Sequence, residues 1–239
     1  MLSCSFEYYI IEKYEWAEKA LYQRRGLKIM TIDTENLLHS ILEGLDKLEY
    51  VKSADIPNID LYMDQVTTFM DNRLRNLARN PGVDKVMTKT MINNYAKNDL
   101  LPPPVKKKYS KEHVLLLFFI YYYKNVLSIS DIQTLLNPIT EKYFQNDKEF
   151  SLEKIYQEVF SMEKDEIEVL KKDVEDKFAK AQSTFDQAEE EDQEFLQIFA
   201  FICLLSYDVY IKKMIIEKMV DDISERRKSG DIKNKEPKK

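Results

Sequence analysis

Apolar positions along this chain recur at helical spacing over most of its length, and the runs are separated by prolines and short polar turns. Between residues 31 and 50, Leu37, Leu38, Ile41, Leu42, Leu45 and Leu48 fall three and four apart, which puts one stripe of a helix against a core. Pro57 interrupts the pattern, and Leu61, Met63, Val66, Phe69, Met70 and Leu74 then mark a helix of about residues 64–77. Asn80-Pro81-Gly82 reads as the clearest turn. A short helix is predicted over about 89–98 with Thr88 as its N-cap. Leu100-Leu101-Pro102-Pro103-Pro104 forbids helix beyond it, because each proline ring fixes φ and removes an N–H donor. Lys106-Lys107-Lys108-Tyr109 reads as a short basic extended piece, and Ser110 caps a strongly apolar helix over 114–126. Ser130 with Gln133 has the spacing of a capping box for a further short helix through Leu136, and Asn137-Pro138 closes the segment.

Beyond residue 138 the pattern changes to long helices with few breakers. Ile167, Leu170, Val174, Phe178, Ala181, Phe185 and Ala188 average 3.5 residues apart, the spacing of a coiled coil or bundle stripe. Residues 195–219 are apolar on most faces and predict a largely buried helix. Gln197, Asp208, Lys212 and Lys213 leave no clean run of about 18 apolar residues, so a bundle or dimer helix is expected rather than a membrane span. After Ser224 the chain is Lys-rich and unpatterned, and 225–239 reads as a disordered basic tail.

The first 29 residues admit two readings. Arg24-Arg25-Gly26 is what a purine-rich ribosome-binding sequence would encode shortly before Met30, which makes 1–29 an untranslated leader with the start at Met30. Tyr8, Ile11, Tyr14, Trp16 and Ala20 equally suit an amphipathic helix. The expected organisation is therefore this leader or extra helix, an N-terminal helix in 30–56, a domain of short helices with a basic arm in 57–138, a long-helix region in 139–224, and the tail.

Composition narrows the chemistry. Four glycines in 239 residues is about a quarter of the usual share. Neither a dinucleotide-binding nor a phosphate-loop glycine pattern can be built from Gly26, Gly44, Gly82 and Gly230. Cys4 and Cys203 cannot supply a tetrahedral metal cage or a disulfide framework, which fits a reducing, cytoplasmic setting. His39 and His113 have no neighbouring cysteine and belong to no HExxH or Ser-His-Asp signature. No catalytic residues, metal site or cofactor are expected, and the chain is not read as an enzyme. The surplus of Lys, Ile, Asn and Tyr is what AT-rich codons encode and points to a low-GC bacterial source.

Charge is unevenly placed. The net value of −6 conceals seven lysines against two acids in residues 85–113, and 17 acids against seven lysines in 145–194. Lysine is thus concentrated around the two short helices and their basic arm, as on a phosphate-facing surface, while the acidic stretch reads as a solvated helix face.

The run Thr88-Lys-Thr-Met-Ile-Asn-Asn-Tyr95-Ala-Lys-Asn-Asp-Leu100-Leu-Pro, then Lys-Lys-Lys-Tyr109-Ser, a Leu-rich helix, and Leu127-Ser-Ile-Ser-Asp-Ile132-Gln-Thr-Leu-Leu136 resembles a MerR-type winged helix-turn-helix. More closely, the Thr-Lys-Thr-Met-Ile-Asn-Asn-Tyr segment is similar to the uncharacterised bacterial family known as domain of unknown function 1836 (DUF1836). The resemblance spans about 57–137. It departs from the MerR pattern at Asn93, where that family has an Arg, at Asp99, where it has a helix-ending Gly, and at an extra stretch of about 75–86 between the two helices.

The fold class this implies is mainly all-α, a MerR-like winged helix-turn-helix with a short basic wing followed by a long-helix bundle. The second helix of such a motif presents its N-terminal half to the major groove, so Thr88, Lys89, Asn93, Asn94 and Lys97 are the candidate DNA contacts. Asn93 is chemically suited to bidentate reading of adenine. Lys106, Lys107 and Lys108 on the wing would grip flanking phosphates. Met91, Ile92 and Tyr95 would form the packed side. The expected partners are double-stranded DNA, a second copy of the chain paired through 162–223, and an unidentified small-molecule effector; no membrane is expected. The function this implies is a sequence-specific transcriptional regulator. The alternatives are a helical protein-interaction adaptor that retains the fold without DNA binding, and an enzyme with inward carboxylates on facing helices.

Overall fold

Helix dominates wherever the chain escapes its prolines, and the computed structural model describes residues 33–47, 50–80, 83, 85–146 and 150–233. The two readings of residues 1–29, and Pro81 and Gly82 of the expected turn, lie outside the described residues. In chain order the elements are α1 (Thr34–Asp46), β1 (Leu61–Tyr62), α2 (Met63–Leu74), α3 (Lys89–Lys97), β2 (Lys108–Tyr109), α4 (Lys111–Tyr123), α5 (Ile129–Tyr143), α6 (Leu152–Ser161), α7 (Glu163–Gln182) and α8 (Glu190–Lys233). Short 3-10 turns occupy Ser53–Asp55 and Arg75–Leu77. The described residues divide into two compact units, one of residues 33–45 and 171–206 and the other of 46–170 and 207–233.

In the first unit, α1 begins where the Asp33 carboxylate accepts the Asn36 N–H at 3.1 Å. Leu37, Leu38, Ile41 and Leu42 pack against a core of Val174, Phe178, Ala181, Ile198 and Phe201. Phe178 and Phe201 meet edge to face at 5.3 Å. The α7 stripe expected from Ile167 to Ala188 is buried only at Val174, Phe178 and Ala181. The helix stops at Gln182, because the Gln197 side chain donates to the carbonyls of Gln182 (2.8 Å) and Thr184 (3.2 Å) and satisfies the chain end. Phe185 falls in the connection with φ of 62° and is exposed.

The second unit is organised around α4. Its residues from His113 to Tyr121 are all buried, so the helix is covered on every face, as its near-continuous apolar sequence requires. Val66, Met70 and Leu74 of α2, Ile92 and Tyr95 of α3, Ile132 and Leu136 of α5, and Tyr156 and Phe160 of α6 share this core with it. The Tyr156 hydroxyl donates to the Val51 carbonyl at 2.7 Å and ties the segment preceding α2 to α6. Gln157 adds a bond to the Ser53 hydroxyl at 2.6 Å.

Three expectations are corrected. Ser128, not Ser130, caps α5. Its hydroxyl accepts the Asp131 N–H and the Asp131 carboxylate accepts the Ser128 N–H, each at 3.2 Å. A carboxylate at that position complements the positive end of the helix better than the neutral amide of Gln133. The helix then continues through Pro138 to Tyr143 instead of ending at Leu136. A proline inside a helix costs about 3 kcal/mol. Burial of Leu136, with Ile139 and Tyr143 packed against the core beyond the proline, offsets it.

The third correction concerns α8, which is neither largely buried nor finished at Ser224. Among the described side chains of this helix, only Ile198, Phe201 and Val220 are buried. It stays helical to Lys233, supported by Arg226 on Asp222 at 2.8 Å and by Arg227 reaching Glu141 of α5 at 3.3 Å. By length and composition, residues 192–230 are sufficient to cross a membrane.

Candidate nucleic-acid interface

α2 and α3 are the two short helices anticipated at about 64–77 and 89–98. The Tyr62 N–H donates to the Gln65 side chain at 2.8 Å and opens α2. The Arg75–Leu77 turn closes it, and Arg75 folds back on Asp71. α3 begins with the Thr88 hydroxyl accepting the Met91 N–H at 3.2 Å, so Thr88 is a half-buried cap rather than a freely presented group.

The faces of α3 are sharply divided. Ile92 is fully buried and Tyr95 nearly so, with Met91 packed beside them, while Lys89, Asn93, Asn94 and Lys97 are exposed. Burial raises the Tyr95 phenol above its ordinary pKa, which keeps it neutral in the core. Lys89, Asn93 and Lys97 sit at four-residue spacing, so these three share one face. Lys89 also pairs with Asp64 at the start of α2, which restrains its ammonium.

The end of α3 accounts for the Gly-to-Asp departure. Asp99 has φ of 53°, in the left-handed region that favours glycine and tolerates aspartate. The Leu100 N–H reaches back to the Tyr95 carbonyl at 2.9 Å, the bond of a Schellman stop.

Two side chains from outside α3 hold it in place. Lys124, just past α4, donates to the Val86 carbonyl at 2.8 Å and lies 4.7 Å from the Tyr121 ring. Its partial burial lowers its pKa. Gln133 of α5 donates to the Asn98 carbonyl at the other end. Neither was legible as part of the site, although Lys124 is the first cation after a long apolar helix.

The basic arm is a two-residue hairpin. Val105 and Lys108 exchange backbone hydrogen bonds of 3.1 and 2.9 Å, and between them Lys106 and Lys107 adopt φ of 51° and 64°. Positive φ at both central positions marks a type I′ turn, which ordinarily selects Asn-Gly. Here two exposed lysines occupy it. β2 pairs antiparallel with β1 in the register Leu61 with Tyr109 and Tyr62 with Lys108. Leu61 and Tyr109 therefore point into the core, and Lys108 lies 5.2 Å above the Tyr62 ring on the outer face. α2 touches both α3 and this sheet, so one helix supports the two groups of candidate residues.

His113, set aside by the sequence reading, lies directly behind the arm. Its Nδ1 accepts the Ser110 N–H at 3.0 Å, completing a capping box for α4. The ring is wedged between Tyr109 (5.5 Å) and Phe144 (4.8 Å). Among the described residues, its buried Nε2 has no partner within hydrogen-bond geometry. Burial depresses its pKa below the ordinary 6.5, against smaller opposing effects of the Pro103 and Pro102 carbonyls and Asp60.

No group of three or more metal-ligating side chains occurs among the described residues. The chain matches no curated protein and no solved structure. Residues 51–159, which hold α2, α3 and the lysine hairpin, match the family model described as domain of unknown function (DUF1836).

Proposed function

We propose that the chain is a cytoplasmic, sequence-specific DNA-binding transcriptional regulator of bacterial origin, acting as a homodimer. In this reading α2 and α3 form a MerR-like helix-turn-helix and the Val105–Lys108 hairpin its wing. The observation that carries it is the division of α3, which buries Ile92 and Tyr95 and leaves Lys89, Asn93, Asn94 and Lys97 exposed. Asn93 and Asn94 offer paired donor and acceptor groups for base edges, and the lysines supply phosphate contacts. Thr88 acts by capping α3, with its backbone near the helix N-terminus where an anion is favoured.

The test is the salt dependence of duplex DNA binding. Four lysines on phosphates contribute a slope of about −3.6 in log affinity against log salt. Replacing Lys89, Lys106, Lys107 and Lys108 by alanine is expected to flatten the slope by that amount. An unchanged affinity and slope would refute the docking. The exposed apolar surface of α8 favours a second reading, a protein-interaction adaptor, which predicts no salt-dependent binding in the parent chain. Immunoprecipitation of bound DNA across the genome would then identify the operator.

A further inference from the structure

The exposed residues of α8 form a seam. Phe195, Phe199, Ile202, Ser206, Val209 and Lys213 follow one another at alternating steps of four and three, which keeps them on one face of a helix. Phe199 and Ile202 are each 53% exposed and Val209 64%. Tyr210 flanks the same face. Each of the five apolar residues leaves on the order of 100 Å² in water, giving roughly 500 Å² on one helix. That is in the upper part of the range for the largest patch of an ordinary monomer and more than half of the ~800 Å² per partner of a standard interface.

We infer that this face is covered by α8 of a second copy of the chain, running antiparallel, with the two-fold axis crossing the seam near residue 204. The inference rests on the homodimer in the reading above and adds its surface and direction. Charge sets the direction. Residues 189–194 carry five acids, whereas 212–218 carry three lysines and one glutamate. A parallel pair lays the acidic stretch against itself, whereas an antiparallel pair about residue 204 sets it opposite Lys218 and within a turn of Lys212 and Lys213. Packing agrees with the same register. Phe199 then meets the partner's Val209, Ile202 meets the partner's Ser206, and Phe195 receives the stem and ammonium of the partner's Lys213. A lipid bilayer fits less well, because Ile198, Phe201 and Val220 of the same helix are already packed in the protein's own cores and Lys212, Lys213 and Lys218 interrupt the run.

Cys203 is exposed and lies next to the proposed axis, so it faces the partner's Cys203 across the seam. Glu194 does not, because twenty residues of helix, about 30 Å, separate it from the partner's Glu194 in this register. The full chain carrying Cys4→Ser should sediment as a dimer and be joined by a short bis-maleimide crosslinker. The full chain carrying Cys4→Ser, Cys203→Ser and Glu194→Cys should dimerise and stay unjoined. Phe199→Glu should weaken dimerisation at least 100-fold with the helical circular dichroism retained, and Phe199→Leu should restore it. Crosslinking at both positions overturns the antiparallel direction. A dimer indifferent to Phe199→Glu overturns the surface while leaving the homodimer standing. A monomer at all concentrations overturns the homodimer and this inference together. Sedimentation with anionic phospholipid vesicles makes the bilayer the occupant and overturns it as well. Salt-dependent DNA binding is measured separately on the same proteins, so DNA binding by a monomer leaves that reading intact.

Discussion

The Lys106-Lys107 turn should respond to one substitution in two opposite ways. Both residues hold the left-handed conformation, which costs an L-residue about 1–2 kcal/mol, whereas glycine adopts it freely and asparagine with less penalty. The double change Lys106→Asn and Lys107→Gly installs the pair that this turn selects. The relieved strain is partly returned through the larger entropy of glycine in the unfolded chain, about 0.5–1 kcal/mol. A net gain of about 1–2 kcal/mol is expected, and a rise in Tm of roughly 2–8 °C.

DNA affinity should move the other way. Two fewer phosphate contacts reduce the salt slope by about 1.8, which at 0.15 M salt is about a 30-fold loss of affinity. Denaturant titration and fluorescence anisotropy on a DNA duplex at several salt concentrations read the two effects from one preparation. A more stable protein with unchanged binding would remove the hairpin from the interface. A protein no more stable than the parent would refute the strain argument, whatever its binding.

Other consequences can be checked alongside. Asp99→Gly, at φ of 53°, should stabilise the chain by roughly 0.5–1 kcal/mol without disturbing α3, measured by urea denaturation. The His113 pKa is depressed in the folded state, so the unfolded chain binds the proton more readily. Its contribution to stability is therefore complete above pH 6.5 and is lost as pH falls from there through the folded pKa. A His113→Gln variant should show a shallower loss of stability between pH 7.5 and 5, and an identical slope would show that His113 is not the titrating group. Tyr156→Phe should cost about 1–2 kcal/mol, because the buried Val51 carbonyl loses the hydroxyl that now reaches it. Its helical content should stay unchanged.

Local signals carried well into three dimensions in some segments and poorly in others. Leu61 to Leu74 and Thr88 to Tyr95 have short-range causes, a spaced apolar stripe and a hydroxyl cap, and both helices form where those signals lie. The division of α3 into buried Ile92 and Tyr95 and exposed Asn93 and Lys97 follows from the same periodicity. The continuation of α5 past Pro138 has no local cause. It depends on apolar contacts of Leu136 and Ile139 with helices distant in sequence, which outweigh the preference of the proline. The role of Lys124 was hidden for a similar reason, since its acceptor is a backbone carbonyl 38 residues earlier. For α8, the apolar composition was plain, but composition cannot say whether the covering surface belongs to the same chain.

The bonds at the two ends of α3 determine what kind of object this helix is. Nine residues are too few to remain helical alone in water, where roughly 12–15 are needed even for favourable sequences. Lys124 holding Val86 and Gln133 holding Asn98 therefore make the helix a product of the surrounding domain rather than of its own sequence. Cut out as a peptide, it should be a coil. Within the intact chain its amide protons should exchange slowly before any ligand is added, and a ligand that docks on Asn93 and Lys97 should meet a surface already ordered, with little loss of chain entropy on binding. Grafting this helix onto another scaffold would require bringing the lysine and the glutamine with it.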